Sequence, residues 1–256
     1  MRKALTDATY RAYENRLMKE IKGGPIPEHV AVIMDGNRRF AESLGLLSMS
    51  GHVAGRDTLE EMLEWCLELG VHVLTVYAFS TENLKRDPKE VAELMRLFAV
   101  NFHKAADDER VHRHRIRIKA FGQMELLPKE VVEAIRHAEA RTAAYDDYRF
   151  NIAIAYGGRE EILQAIRRIS QDAKDGKVDP AGIDEPTFSG YLYTYGLPDP
   201  DLILRTSGEA RISNFLLWQL AYSELYFSDV YWPGFRKVDF LRAIRAYQMR
   251  ERRYGK

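Results

Sequence analysis

The sequence predicts an α/β protein: one domain with a mainly parallel central sheet of about six strands and helices on both faces. Three observations carry this. Six short runs are β-rich and almost continuously apolar, at 29–34, 72–79, 115–121, 150–155, 201–205 and 223–227. Amphipathic runs of helical period alternate with them. No repeat, low-complexity tract or long linker breaks the 256 residues, a length that fits one large domain. Strands covered on both faces lose the in–out alternation, and strand–helix alternation makes the crossovers parallel.

Taken in chain order, residues 1–25 read as an N-terminal helical extension, too polar for a signal peptide. "HVAVIM" is the first strand. Leu59, Met62, Leu63 and Cys66 then share one helical face, so Cys66 reads as a packed core thiol. After "HVLTVYAF" comes "PKEVAELMRLFAVNFHKAADD", where Pro88 marks a first turn and Val91, Leu94, Met95, Phe98 and Phe102 keep helical spacing. In "RIRIKAF", Ile116 and Ile118 point inward and Arg115, Arg117 and Lys119 outward, so the basic run is a solvated strand face. His112 and His114 lack the partners of a zinc site and are given no role. "PKEVVEAIRHAEARTAAY" and "GREEILQAIRRISQ" read as helices, with Gly157 and Gly158 at the strand-to-helix turn. "DLILR" and "SELYF" complete the strands.

Composition narrows the partners. Lys plus Arg and Asp plus Glu are 38 each, so no overall field draws nucleic acid or an anionic membrane. Any anion site must be a local gathering of arginine. The single cysteine cannot form an internal disulfide and suits a reducing, cytoplasmic setting. No apolar run approaches ~18 residues, which excludes a spanning helix and leaves peripheral membrane contact open.

In open parallel sheets, ligands bind beyond the carboxyl ends of the strands. Three polar clusters directly follow strands: Asp35 to Phe40, "STENLKR" at 80–86 and "RTSGEARISN" at 205–214. They offer arginines, glycines and one carboxylate. Guanidinium meets phosphate through paired hydrogen bonds, and glycine lets backbone N–H groups approach an anion. A carboxylate among them would repel a phosphate unless a divalent cation lay between, and Mg²⁺ takes one or two carboxylates plus phosphate oxygens. Diphosphate handling with Mg²⁺ on Asp35 is the chemistry indicated. Taken singly, each arginine reads equally as a surface ion pair or a helix cap. Their recurrence after three strands favours a site. No G-x-x-x-x-G-K-[ST] is present, and "YGGREE" is not G-x-G-x-x-G.

The stretches "HVAVIMDGNRRFA", "GHVAG", "LTVYAFSTENLKR", "NIAIAYGGREEI", "DLILRTSGEARISNFLLWQLAYSELYF", "WPGF" and "RERRYG" resemble the cis-prenyltransferases, the family of undecaprenyl diphosphate synthase. The likeness runs from about residue 26 to 255. It implies the family's fold, with a hydrophobic tunnel, and condensation of isopentenyl diphosphate with an allylic prenyl diphosphate to a Z-polyprenyl diphosphate, using Mg²⁺ in a homodimer. By position it implies Asp35 as the Mg²⁺-binding catalytic aspartate, and Gly36, Asn37, Arg38, Arg39 and Phe40 as the allylic diphosphate loop with His52 beside it. Ser80, Thr81, Glu82, Asn83 and Arg86 match a mobile substrate loop in which Asn83 helps remove the proton. Arg205, Arg211, Ile212 and Ser213 match the isopentenyl diphosphate site, and Glu224 a second carboxylate near the metal. Arg253 and Gly255 match an R-x-G tail that reaches the neighbouring subunit. The Val91–Phe102 face becomes the tunnel wall, although its pattern is equally that of core packing.

Three positions depart from the family pattern. Ser48 stands where well-known bacterial members carry an arginine that helps bind the allylic diphosphate, Leu84 replaces a common tryptophan, and Ala210 a polar residue. Losing one charged contact weakens a site by ~1.5–3 kcal/mol unless something substitutes. Arg38, where those members have glycine, is the candidate substitute. Starter, product length and head-to-tail against branched regiochemistry therefore stay open. An aspartate-nucleophile phosphohydrolase also places Asp after its first strand but needs a carboxylate two residues on, where this chain has Asn37. An inert partner subunit would lack Asp35, Arg205, Arg211 and Arg253.

Overall fold

Continuous burial explains why the first strand shows no alternation: all five residues of β1 (His29–Ile33) are out of solvent. The remaining strands are β2 (Val73–Ser80), β3 (Ile116–Phe121), β4 (Tyr148–Tyr156), β5 (Leu202–Arg205) and β6 (Glu224–Phe227). The helices are α1 (Arg2–Ile21), α2 (Asn37–Ser43), α3 (Ser48–Leu69), α4 (Pro88–Ala106), α5 (Glu109–Arg113), α6 (Lys129–Thr142), α7 (Gly158–Lys174), α8 (Glu185–Ser189) and α9 (Lys237–Met249). The computed structural model describes residues 2–250, without the side chains of residues 2–9 and 11. All six strands expected from the sequence form, each within two residues of its expected bounds.

A six-stranded α/β sheet runs in the order β3-β4-β2-β1-β5-β6. The β1–β5, β5–β6 and β3–β4 pairs are parallel. The order turns back at β1, and Ile33 pairs with Arg205 at the carboxyl ends of β1 and β5. Such a switch point opens a crevice that no crossover covers. The chain divides into two compact units. One comprises the residues up to Leu74, with Pro200–Arg211 and those from Ser223 on; the other comprises Thr75–Asp199 and Ile212–Tyr222.

In the first unit, α2 lies on α3 through glycine. A Cβ at Gly51 would fall 2.0 Å from the Asn37 carbonyl oxygen, and one at Gly55 would fall 2.1 Å from Asn37 Oδ1. The Trp232 indole N–H closes this contact on the Gly55 carbonyl at 2.7 Å. Met62 and Cys66 are buried on α3 as the periodicity predicts, and burial pushes the Cys66 thiol up, which keeps it an inert core group. The N-terminal extension is helical. It packs on α9, with Leu17 and Ile21 buried, Arg236 over the Tyr10 ring at 4.1 Å and Arg245 on Glu20 at 3.1 Å.

In the second unit, α4 packs on α6 and α6 on β3. Asp87 caps α4 by accepting from the Lys89 and Glu90 N–H groups, with Pro88 in the first turn as expected. Leu94, Met95 and Phe102 are buried, while Val91 and Phe98 are half-buried. On the edge strand β3, Ile116 and Ile118 are buried and Arg117 is exposed, so its basic face is a solvated edge. Among the described residues, no helix is long and apolar enough to cross a membrane.

Candidate active site

The switch point holds a ring of alternating charges, all in the first unit. Arg205 Nη2 donates to Asp35 Oδ2 at 2.7 Å, and Arg39 Nη2 to Asp35 Oδ1 at 3.1 Å. Arg39 Nη1 donates to Glu209 Oε1 at 2.8 Å, Arg211 to Glu209 Oε2, and Arg205 Nη1 closes the ring on the Arg211 carbonyl. Three guanidinium groups thus face two carboxylates. Local structure fixes each member. Arg205 ends a fully buried strand and is 4% exposed. Arg39, in the first turn of α2, reaches back past Gly36 to Asp35, which lies just before the helix. Thr206 holds the Asp35 backbone from both directions: its Oγ1 accepts from the Asp35 N–H at 2.9 Å and donates to the Asp35 carbonyl at 2.7 Å.

Burial by itself would raise the Asp35 pKa. The hydrogen bond and charge of Arg205, followed by those of Arg39, more than offset it and hold the carboxyl below its usual range. Asp35 is therefore ionised and still 26% exposed at its side chain. Gly36 has φ +101, and a Cβ there would meet Tyr231 Cδ1 at 2.7 Å, so only glycine passes between Asp35 and α2. Asn37 donates to the Met34 carbonyl at 3.2 Å, while its buried Oδ1 has no hydrogen-bond partner. Arg38 is exposed and Phe40 half-buried. His52 lies one turn beyond Ser48 on α3, and the Ser48 hydroxyl is another buried oxygen without a hydrogen bond.

The other expected substrate residues belong to the second unit. Ser80 and Asn83 cap a 3₁₀ turn over Thr81–Lys85 reciprocally: the Asn83 N–H donates to Ser80 Oγ at 3.3 Å, and Asn83 Oδ1 accepts from the Ser80 N–H at 3.1 Å. Thr81 donates to Glu82 at 3.3 Å, and Arg86 pairs with Glu90 at 3.3 Å. Ile212 is half-buried and Ser213 exposed, with φ +48 at Ser213.

Glu224 stands apart from this ring within the chain. Glu224 opens β6 opposite Leu202, three register positions (~10 Å of strand) before the row of Arg205. Its carboxylate binds Arg250 at 2.6 Å, so it does not join Asp35 at the carboxyl ends. Arg253 and Gly255 lie outside the described residues. Thr206 and Glu209, both in the "RTSGEARISN" cluster, join the site although their letters alone do not mark them out. Tyr231 carries no local signal in the sequence, yet its ring lies 5.8 Å from the Arg39 guanidinium carbon.

Among the described residues, no three His, Cys, Asp or Glu side chains gather as a ready metal cage. Asp35, its carboxyl held below the usual range and partly exposed, offers an oxygen donor that would suit Mg²⁺, an ion that typically takes one or two carboxylates plus phosphate oxygens and water.

A switch-point crevice with a guanidinium cluster around one ionised aspartate defines an enzyme of phosphorylated substrates. The comparisons with known proteins make this specific. A family model described as "Putative undecaprenyl diphosphate synthase" matches residues 33–255. A tritrans,polycis-undecaprenyl-diphosphate synthase (geranylgeranyl-diphosphate specific) of Methanopyrus kandleri is 56% identical over 96% of this chain and 91% of its own. One of the same name from Thermoplasma volcanium is 54% identical over 98% of both. Among solved structures, lavandulyl diphosphate synthase from Lavandula x intermedia, in complex with dimethylallyl diphosphate, superposes with TM-score 0.86 at 37% identity, covering 90% of this chain and 99% of that one. The chain belongs to the undecaprenyl diphosphate synthase family of cis-prenyltransferases. It is a transferase of prenyl groups that condenses isopentenyl diphosphate with an allylic diphosphate.

Proposed function

We propose that this enzyme elongates geranylgeranyl diphosphate with isopentenyl diphosphate into a long Z-polyprenyl diphosphate, with Mg²⁺ as its metal and a homodimer as its working form. The observation that carries the chemistry is the ring of Arg205, Asp35, Arg39, Glu209 and Arg211 at the switch point. The starter is supported by the relatives. Eight chains, 52–56% identical over 96–98% of this one, share the geranylgeranyl-specific name. That likeness favours a linear long-chain product over a short or branched one.

Arg39, Arg205 and Arg211 exchange their carboxylate partners for diphosphate oxygens as substrates enter. Asp35, held ionised and locked by Thr206, would hold the metal together with phosphate oxygens. A Mg²⁺ ion held there would supply the positive charge that offsets the diphosphate leaving group. The guanidinium groups stabilise the negative charge that grows on the bridging oxygen as the allylic C–O bond breaks. The isopentenyl double bond attacks the allylic carbon, and the new cation loses a proton to give the Z alkene. Asn83, capped reciprocally with Ser80, would assist that proton loss. Val91 and Phe98, the half-buried part of an otherwise buried face of α4, would offer apolar surface to a prenyl tail.

The deciding experiment incubates the protein with isopentenyl diphosphate and dimethylallyl, geranyl, farnesyl or geranylgeranyl diphosphate, with Mg²⁺ or a chelator. Products are read by mass and alkene geometry. A long Z product, best from geranylgeranyl diphosphate and lost with chelator, is expected. A single branched condensation, or equal use of every starter, would overturn the reading.

A further inference from the structure

Asn214 stands at a junction of three segments of the second unit. Its carbonyl accepts the Gly158 N–H at 2.7 Å, and its Oδ1 accepts the Arg159 N–H at 2.9 Å. Its Nδ2 donates to Glu82 Oε1 at 3.4 Å. The backbone around it is left-handed at Ser213 (φ +48), Asn214 (φ +65) and Leu216 (φ +45). Few side chains tolerate that region, and asparagine is among those that do. Three such residues in four persist only where surrounding contacts over-determine them.

The same junction explains the two glycines of "YGGREE". A Cβ at Gly157 would fall 2.8 Å from Asn214 Nδ2 and 3.2 Å from Thr81 Oγ1. One at Gly158 would fall 2.8 Å from Leu217 Cγ and 3.1 Å from the Asn214 carbonyl. The start of α7 is therefore kept bare so that the 213–217 turn and Thr81 can lie against it. Deeper in the unit, Gln219 anchors the same segment on buried Glu161 at 3.2 Å, beside the Tyr156 hydroxyl, which donates to Glu161 at 2.6 Å. One end of segment 212–222 is thus fastened to the core. Through Asn214, the other end reaches the loop at 80–86.

We propose that Asn214 is a positioning residue that fixes the Thr81–Arg86 loop against the turn carrying Ser213, and so sets how the second diphosphate substrate is held. This rests on the reading of that loop and Ser213 as substrate-holding. The position needs an amide. An acceptor must meet Arg159 and a donor must meet Glu82, and an aspartate would supply two acceptors and a like charge.

The test is a charge swap. N214D keeps the acceptor for Arg159 and tolerates the left-handed backbone, but sets a carboxylate against Glu82. Adding E82Q restores a donor–acceptor pair in the opposite sense. Amide exchange over 80–86 should rise about tenfold in N214D, while 116–121 and 148–156 keep their protection. KM for isopentenyl diphosphate should rise several-fold more than KM for the allylic substrate. The double variant should return both readouts to the values of E82Q alone. Unchanged exchange in N214D, additive effects in the double variant, or a rise across the core strands as well would overturn the proposal. Restored exchange with no kinetic change in any variant would uphold the tie and sink the substrate-holding reading of the loop.

Discussion

Asp35 Oδ2 accepts a hydrogen bond from Arg205 Nη2 at 2.7 Å, although the two residues are 170 positions apart in the chain. They meet because β1 and β5 are parallel neighbours in register, Ile33 beside Arg205. Parallel pairing brings both carboxyl ends to one edge, and the residues just past them become a site. The buried guanidinium keeps the carboxylate charged. The carboxylate, partly open to solvent, keeps one side for a ligand.

Asp35→Ala should keep the fold and lose condensation by at least ~10²-fold, since the anionic donor beside the leaving group is gone. Circular dichroism checks the first half and a timed product assay the second. A variant with more than half the wild-type rate would remove Asp35 from the reaction.

Acid should weaken the protein through the same pair. The folded Asp35 pKa lies below its unfolded value of ~3.9, so the contribution is complete above that pH and is lost as pH falls through the folded value. The Tm gap between wild type and Asp35→Asn should therefore be flat from about pH 8 to 5 and shrink below about pH 4. A gap that widens on acidification would reverse the assigned sign.

Gly51→Ala tests the α2–α3 contact. Alanine is the better helix former by ~1 kcal/mol, yet its Cβ would sit 2.0 Å from the backbone oxygen of Asn37, which no rotamer change relieves. Overpacking of that kind costs ~1–3 kcal/mol, so a lower denaturation midpoint and a weakened allylic KM are expected. A more stable variant would mean that α2 yields freely and does not hold the Asp35 loop.

Ser48→Arg should tighten or redirect use of the allylic substrate and leave isopentenyl diphosphate nearly unaffected. Ser48 lies one turn before His52 on α3, with its hydroxyl buried and unbonded. A charged contact worth ~1.5–3 kcal/mol outweighs the ~0.3–1 kcal/mol cost of a cation in a first helical turn. Equal shifts in both KM values would argue against separate pockets.

The tail is tested by complementation. A chain lacking residues 253–256 and a chain carrying Asp35→Ala should each be nearly inactive alone. Refolded together in equal amounts, about half the dimers are mixed, and about a quarter of wild-type site activity should return. Proven subunit exchange without recovery would show that the tail does not serve its partner.

The six strands, the principal helices and the three polar clusters were legible from the sequence because each rests on local pattern: apolar runs, helical spacing, and charge placed directly after a strand. The edge face of β3 and the buried thiol of Cys66 followed from the same periodicities. What pairs with what was not legible, since neighbours in a sheet are set by tertiary packing and not by spacing. Glu224 shows this. The letter alone gives a carboxylate; strand register sets it at the amino end of β6, on Arg250. Thr206 and Glu209 were visible as letters. Only the fold turns Thr206 toward both ends of the Asp35 backbone, and sets Glu209 between Arg39 and Arg211. Asn214 belongs with them, because its partners at Glu82 and Arg159 lie far away in sequence and meet it only where three segments converge. Local patterning decides which elements form; long-range register and the satisfaction of buried polar groups decide which side chains share a site.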